Sequence, residues 1–174
     1  MSPQERGEIL LRLADSVEAH VEELAQTETL DNGSLLRSHR RGVMPRVAMN
    51  IRFFADYAMN RLSHPVFETR GHTNHVSWDP SGVAVIITPW NAPLMLATWR
   101  IGPALASGDT VVLKPPEWAP LTASYFADLA HEAGLDAGRA ELDAERGASL
   151  VNLLGSAGVC GHRRWSSPWP YTFW

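Results

Sequence analysis

The sequence predicts an α/β fold in which helices precede part of a doubly wound parallel sheet. Three observations carry this. Apolar residues recur at helical spacing through the first 60 residues. Two short apolar runs, 83–88 and 110–114, read as strands. A helical segment separates them and another follows. Strand, helix, strand, helix in this order implies a right-handed crossover and parallel strands.

The elements follow in order. Ser2-Pro3-Gln4-Glu5 has the form of a capping box with Pro at the first helical position. Leu10, Leu13, Val17, Val21 and Leu24 then continue one stripe at spacings of three and four, which predicts a single amphipathic helix. Asp31-Asn32-Gly33 stops it, because Asn and Gly tolerate the left-handed conformation. Val47, Ile51, Phe54 and Ala58 predict a second helix over about 45–62. His64-Pro65 begins a break, and 72–78 reads as a strand. Asp79-Pro80-Ser81-Gly82 predicts a turn. The run 83–88 is apolar without alternation, the pattern of a strand covered on both faces. Residues 94–107 form a helix bent at Pro103 and ended by Gly108. The helix 121–133 ends at Gly134. Residues 135–148 turn rich in Ala, Gly, Asp, Glu and Arg, and Trp165, Trp169 and Trp174 fall on no stripe.

A chain of 174 residues can bury one core, and its formal net charge is -4. That balance argues against nucleic acid and anionic membrane as partners, since both recruit basic surfaces. The apolar run 83–87 is far too short to span a bilayer. The start, acidic from Glu5 and without an apolar core, is not a signal peptide. One cysteine, Cys160, forms no internal disulfide. These features predict a cytoplasmic location.

Ligands of an open parallel sheet sit beyond the carboxyl ends of its strands. Two stretches occupy such ends. In Thr88-Pro89-Trp90-Asn91-Ala92-Pro93, two prolines restrain the loop and the Asn91 amide can donate to a developing oxyanion, or merely satisfy a turn. In Lys114-Pro115-Pro116-Glu117, the Lys and the Glu can grip a ribose and its hydroxyls, or form a solvated pair. Neither a G-x-G-x-x-G nor a Walker loop occurs. His72 and His75 would point to opposite faces of a strand, so no metal site is expected there. Arg37, His39, Arg40 and Arg41 read as a solvated basic face. Cys160, beside His162, reads as incidental rather than as an activated thiol.

The segment from Pro80 to Gly134 resembles the NAD(P)-dependent aldehyde dehydrogenase superfamily. Its P-W-N-x-P loop (Pro89 to Pro93), its G-P-A-L-A-x-G helix (Gly102 to Gly108) and its V-V-L-K-P-x-E strand end (Val111 to Glu117) stand in the family's order. Upstream, Glu28-Thr29-Leu30-Asp31-Asn32-Gly33 is similar to the family's E-T-L-D-x-G text, so the resemblance covers about 2–134. The wording is nearest to members acting on semialdehydes. The resemblance implies a fragment of the family's cofactor-binding domain. Asn91 then matches the side-chain oxyanion donor. Lys114 and Glu117 match the residues holding the adenosine ribose of NAD or NADP. Ile87, Thr88, Pro89 and Trp90 match the wall beside the cofactor. Ala92, Met95, Leu96 and Trp99 match the lining of the aldehyde tunnel. Arg100 stands where many members carry Lys, which keeps the charge but changes its shape.

The resemblance also sets expectations for the whole chain. Residues 1–70 form the helical part of the cofactor-binding domain, 71–82 an oligomerisation-arm strand and turn, 83–134 a partial α/β unit, and 135–174 an aberrant tail. The family's catalytic Cys and Glu lie downstream of Lys114 and are not matched here. The reading is a truncated aldehyde dehydrogenase acting, as a family, on a small-molecule aldehyde and inactive alone. The alternative is a non-catalytic interaction module built on the arm. An open sheet edge with an uncovered apolar face is expected, and with it self-association.

Overall fold

The structure is a computed structural model that describes residues 1–62 and 64–135, together with the backbone of 151–153. The opening helix forms as the capping box requires: the Ser2 N–H donates to Glu5 Oε2 at 2.6 Å, and the Glu5 N–H donates to Ser2 Oγ at 3.2 Å. The expected single helix is however two, α1 (Pro3–Ala19) and α2 (Val21–Asn32). His20 sits between them outside the helical region, at φ −109° and ψ 24°. Its N–H closes on the Ser16 and Val17 carbonyls, and its Nδ1 lies 2.8 Å from the Ser16 oxygen. The stripe runs on across this joint, so apolar spacing alone does not register it. Gly33 ends α2 in the left-handed region, at φ 75°.

A short α3 (Leu36–Ser38) leads into one π-helical turn, His39–Val43, and then α4 (Met44–Asn60). α4 packs along α1, and Arg52 crosses the seam to Asp15 at 2.5 Å and Glu18 at 2.7 Å. The expected break at His64-Pro65 contains a strand. β1 (Val66–Thr69) pairs antiparallel with β2 (His72–His75), which is shorter than the strand expected over 72–78. Arg70 and Gly71, both at positive φ, make the two-residue turn, the geometry that fits hairpin twist. The predicted turn at 79–82 is instead a bend at Gly82. Its N–H is taken by Asp109 Oδ1 at 2.9 Å, which ties the start of one strand to the start of the next.

β3 (Val83–Ile87) and β4 (Thr110–Lys114) are parallel, joined through α5 (Pro93–Ser107), and α6 (Leu121–Glu132) follows β4. β5 (Val151–Leu153) runs antiparallel on the far side of β4. The core gathers Leu10, Leu13, Leu24, Met44, Ile51, Leu94, Ile101, Leu113 and Phe126 from five helices and the sheet. The helices cover one face only. Ile86 is buried, but Val83, Val85 and Ile87 are 53%, 66% and 68% exposed. The cover expected on both faces of this strand is found on one face only among the described residues. Among the described residues the other, apolar face has no cover. Among the described residues β3 has β4 as its one strand partner, so it is a sheet edge.

Among the described residues no helix is long and apolar enough to cross a membrane. No group of three or more His, Cys, Asp or Glu among them is placed to hold a metal ion. His72 and His75 are both exposed. Cys160, His162 and the tryptophans at 165, 169 and 174 lie outside the described residues.

Candidate functional site

Parallel pairing puts the carboxyl ends of β3 and β4 side by side. Ile87 is in register with Lys114, and the Thr88 N–H donates to the Lys114 carbonyl at 3.3 Å. Both candidate loops therefore leave the sheet at the same end. Thr88 is buried beneath them, while Pro89, Trp90 and Asn91 are exposed. Ala92 is half-buried and opens α5. Met95 and Leu96 are half-buried on its first turns, and Trp99 is 45% exposed one turn further on. Asn50 of α4 holds this stretch by donating to the Thr98 carbonyl at 2.9 Å. Arg100 is exposed and donates to the Leu96 carbonyl at 3.1 Å.

On the second loop Lys114 is half-buried, and its Nζ donates to the Pro115 carbonyl at 3.3 Å. Glu117 is exposed three residues on. A primary ammonium and a carboxylate on one loop form a donor and acceptor pair suited to vicinal hydroxyls. The residues expected to form the cofactor wall, the ribose grip and the oxyanion donor thus share one end of the sheet.

The residues that sequence reasoning left out of the site lie on α2. Glu28 is fully buried, and burial raises its carboxyl to about 7 from an ordinary 4.5. The Thr122 hydroxyl and the Leu94 N–H approach it and act in the opposite sense, while Asp31 adds to the rise. Among the described residues neither Glu28 oxygen makes a well-aligned hydrogen bond. His39 Nδ1 lies 3.8 Å away, and burial lowers that imidazole. Both groups are pushed toward their neutral forms, so the contact is not a full ion pair at neutral pH. His39 is accordingly not part of a solvated basic face, as its sequence context suggested. It is buried against Ser34 and Glu28, whereas Arg40 does reach outward, to Glu22 at 2.6 Å. One signal for Glu28 was available: it stands four residues after Leu24, in step with the buried stripe.

The model of the aldehyde dehydrogenase family matches residues 1–157, past the point where the motif resemblance stops. Phenylacetaldehyde dehydrogenase of Pseudomonas fluorescens is 46% identical over 163 residues, covering 88% of this chain and 32% of its own length. 2-Aminomuconic semialdehyde dehydrogenase of Mus musculus is 43% identical over 138 residues, covering 79% and 28%. An aldehyde dehydrogenase from Bacillus cereus, solved as its NAD+ complex, superposes with a TM-score of 0.73 at 38% identity, covering 77% of this chain and 27% of that one. The chain spans about a third or less of the length of these relatives.

Proposed function

The chain belongs to the aldehyde dehydrogenase family, and from that premise we propose that its residues supply two working parts of NAD(P)-dependent aldehyde oxidation. One is the oxyanion donor, Asn91. The other is the ribose grip, Lys114 and Glu117. The observation that carries this is the pairing of Ile87 with Lys114, which brings both loops to one end of the sheet.

A dinucleotide held at this end of the sheet would supply the hydride acceptor for oxidation of the aldehyde carbon. The chain's own residues bind and orient. The Lys114 ammonium and the Glu117 carboxylate hold the ribose hydroxyls. Ile87, Thr88, Pro89 and Trp90 form the adjoining wall. The Asn91 amide donates to the oxygen of a small-molecule aldehyde as charge develops on it, a contact worth more in the transition state than in the ground state. Ala92, Met95, Leu96 and Trp99 line the approach of the aldehyde, and the motif wording favours a semialdehyde.

Oxidation through a covalent step also needs a nucleophile beside Asn91. The one cysteine of the sequence, Cys160, lies outside the described residues. The resemblance matches Cys160 to no catalytic position, and on that reading the 174 residues by themselves should leave NAD and NADP unreduced with any aldehyde. Cofactor reduction that disappears in Cys160→Ser would overturn this and make Cys160 the nucleophile. The isolated chain should also self-associate through the β3 edge and the exposed Val83, Val85 and Ile87.

Binding is the test of the reading itself. An adenine nucleotide should bind weakly, and Lys114→Ala should lower that affinity about tenfold, a loss on the scale of one charge-assisted hydrogen bond. Equal affinity of the two proteins by calorimetric titration would remove Lys114 from the cofactor site.

A further inference from the structure

Each site loop runs directly into a helix, and neither helix carries its own side-chain cap. The N-cap residue of α5 is Ala92, and that of α6 is Pro120; neither side chain makes a capping hydrogen bond. The first N–H groups of a helix are orphans and carry the positive end of its dipole, so they attract carboxylates. Two acidic residues of α2, Asp31 and Glu28, lie at these helix starts. Asp31 Oδ2 accepts from the Leu121 N–H at 2.7 Å, across 90 residues of chain. Glu28, one turn earlier on the same face of α2, is fully buried near the Leu94 N–H at the start of α5 and the Thr122 hydroxyl at the start of α6, without a well-aligned hydrogen bond to either. Residues three apart on a helix lie on one face, so a single rigid segment reaches both helix ends.

We propose that Asp31 and Glu28 are positioning residues for the two site loops: from α2, Asp31 caps α6 and Glu28 packs buried at the start of α5, and together they fix where Asn91 and Lys114 stand relative to each other. The inference rests on the assignment of those loops to the oxyanion donor and the ribose grip. The ionisable groups facing Glu28 are Asp31 on its own helix and His39 from the π-helical turn; α5 and α6 bring the Leu94 N–H and the Thr122 hydroxyl.

The test uses the full 174-residue chain and two readouts, amide hydrogen exchange and titration with an adenine nucleotide. Asp31→Ala should speed exchange at Leu121 and over 114–122 about tenfold, the usual consequence of losing a cap, while amides of α1 and α4 keep their rates. Nucleotide affinity should fall with it. Asp31→Asn should restore both, since Asn caps as well as Asp; loss of packing at position 31 would not show that rescue. Glu28→Leu should speed exchange at 94–96 in the same way, and Glu28→Gln should do so less. Unchanged exchange in Asp31→Ala, or equal loss in Asp31→Ala and Asp31→Asn, would overturn the proposal. If the unmutated chain binds no nucleotide, the reading of the loops fails, and the exchange rates still decide the capping.

Discussion

Glutamine in place of Glu28 is expected to remove a loss of stability that the unmutated chain suffers as pH rises from 4.5 to about 7. The sign follows from proton linkage. The pKa of the buried carboxyl is raised in the fold, so the folded state binds the proton more tightly than the unfolded state. Stability from this group is fully present below the unfolded value and is lost as pH rises through the folded one. Each tenfold difference in proton affinity between the two states corresponds to about 1.4 kcal/mol, so the loss approaches about 3 kcal/mol. A domain of this size is stable by only about 5–15 kcal/mol, so the change is large. His39 acts in the reverse direction, since burial lowers it, but it is present in both proteins. The difference between the two pH profiles therefore isolates Glu28. Denaturant titrations across the acid-to-neutral range measure it. Parallel profiles for the two proteins would show that the Glu28 carboxyl titrates alike in the folded and unfolded chains.

The second large effect is expected at Phe126. It is fully buried on α6 and is the largest such side chain among the described residues. Phe126→Ala removes a ring from a site surrounded by helices and sheet, where collapse is hindered, and should cost about 3–5 kcal/mol. Because α6 begins at the loop carrying Lys114 and Glu117, nucleotide affinity should weaken as well. The denaturant midpoint should fall with an unchanged slope, the mark of lost stability rather than of a changed unfolded state. A change under about 1 kcal/mol would mean that α6 is not bound into the core as described.

Much of this architecture was legible in the residues. The capping box at Ser2 and Glu5, the strands 83–87 and 110–114, and the glycine that ends α5 are local signals, and local signals survive into the fold. What was missed depends on distant partners. Val83, Val85 and Ile87 read like buried residues, yet whether a strand face is covered is decided by neighbouring layers and not by the strand. The first hairpin strand was missed because Arg70-Gly71 is a less familiar turn pair than Asn-Gly, although the backbone adopts the same positive φ at both positions. The helix break at His20 leaves the stripe in phase and so leaves no periodic trace. The loops of the site were found by motif and by their place at strand ends. Glu28 and Asp31 were not assigned a role there, because an acidic residue on a helix ordinarily belongs to water. Only the fold shows that α2 turns them inward, toward helices whose own first residues, Ala92 and Pro120, make no side-chain cap.

If the loops at 87–92 and 114–117 form one nucleotide-binding end of the sheet, added NAD+ must perturb both. Backbone amide chemical shifts of the full chain, followed as NAD+ is added, test it most directly. Changes should concentrate at Ile87, Thr88, Lys114 and Glu117, and should be lost in Lys114→Ala. Changes that fall elsewhere, or that persist unaltered in Lys114→Ala, would contradict it.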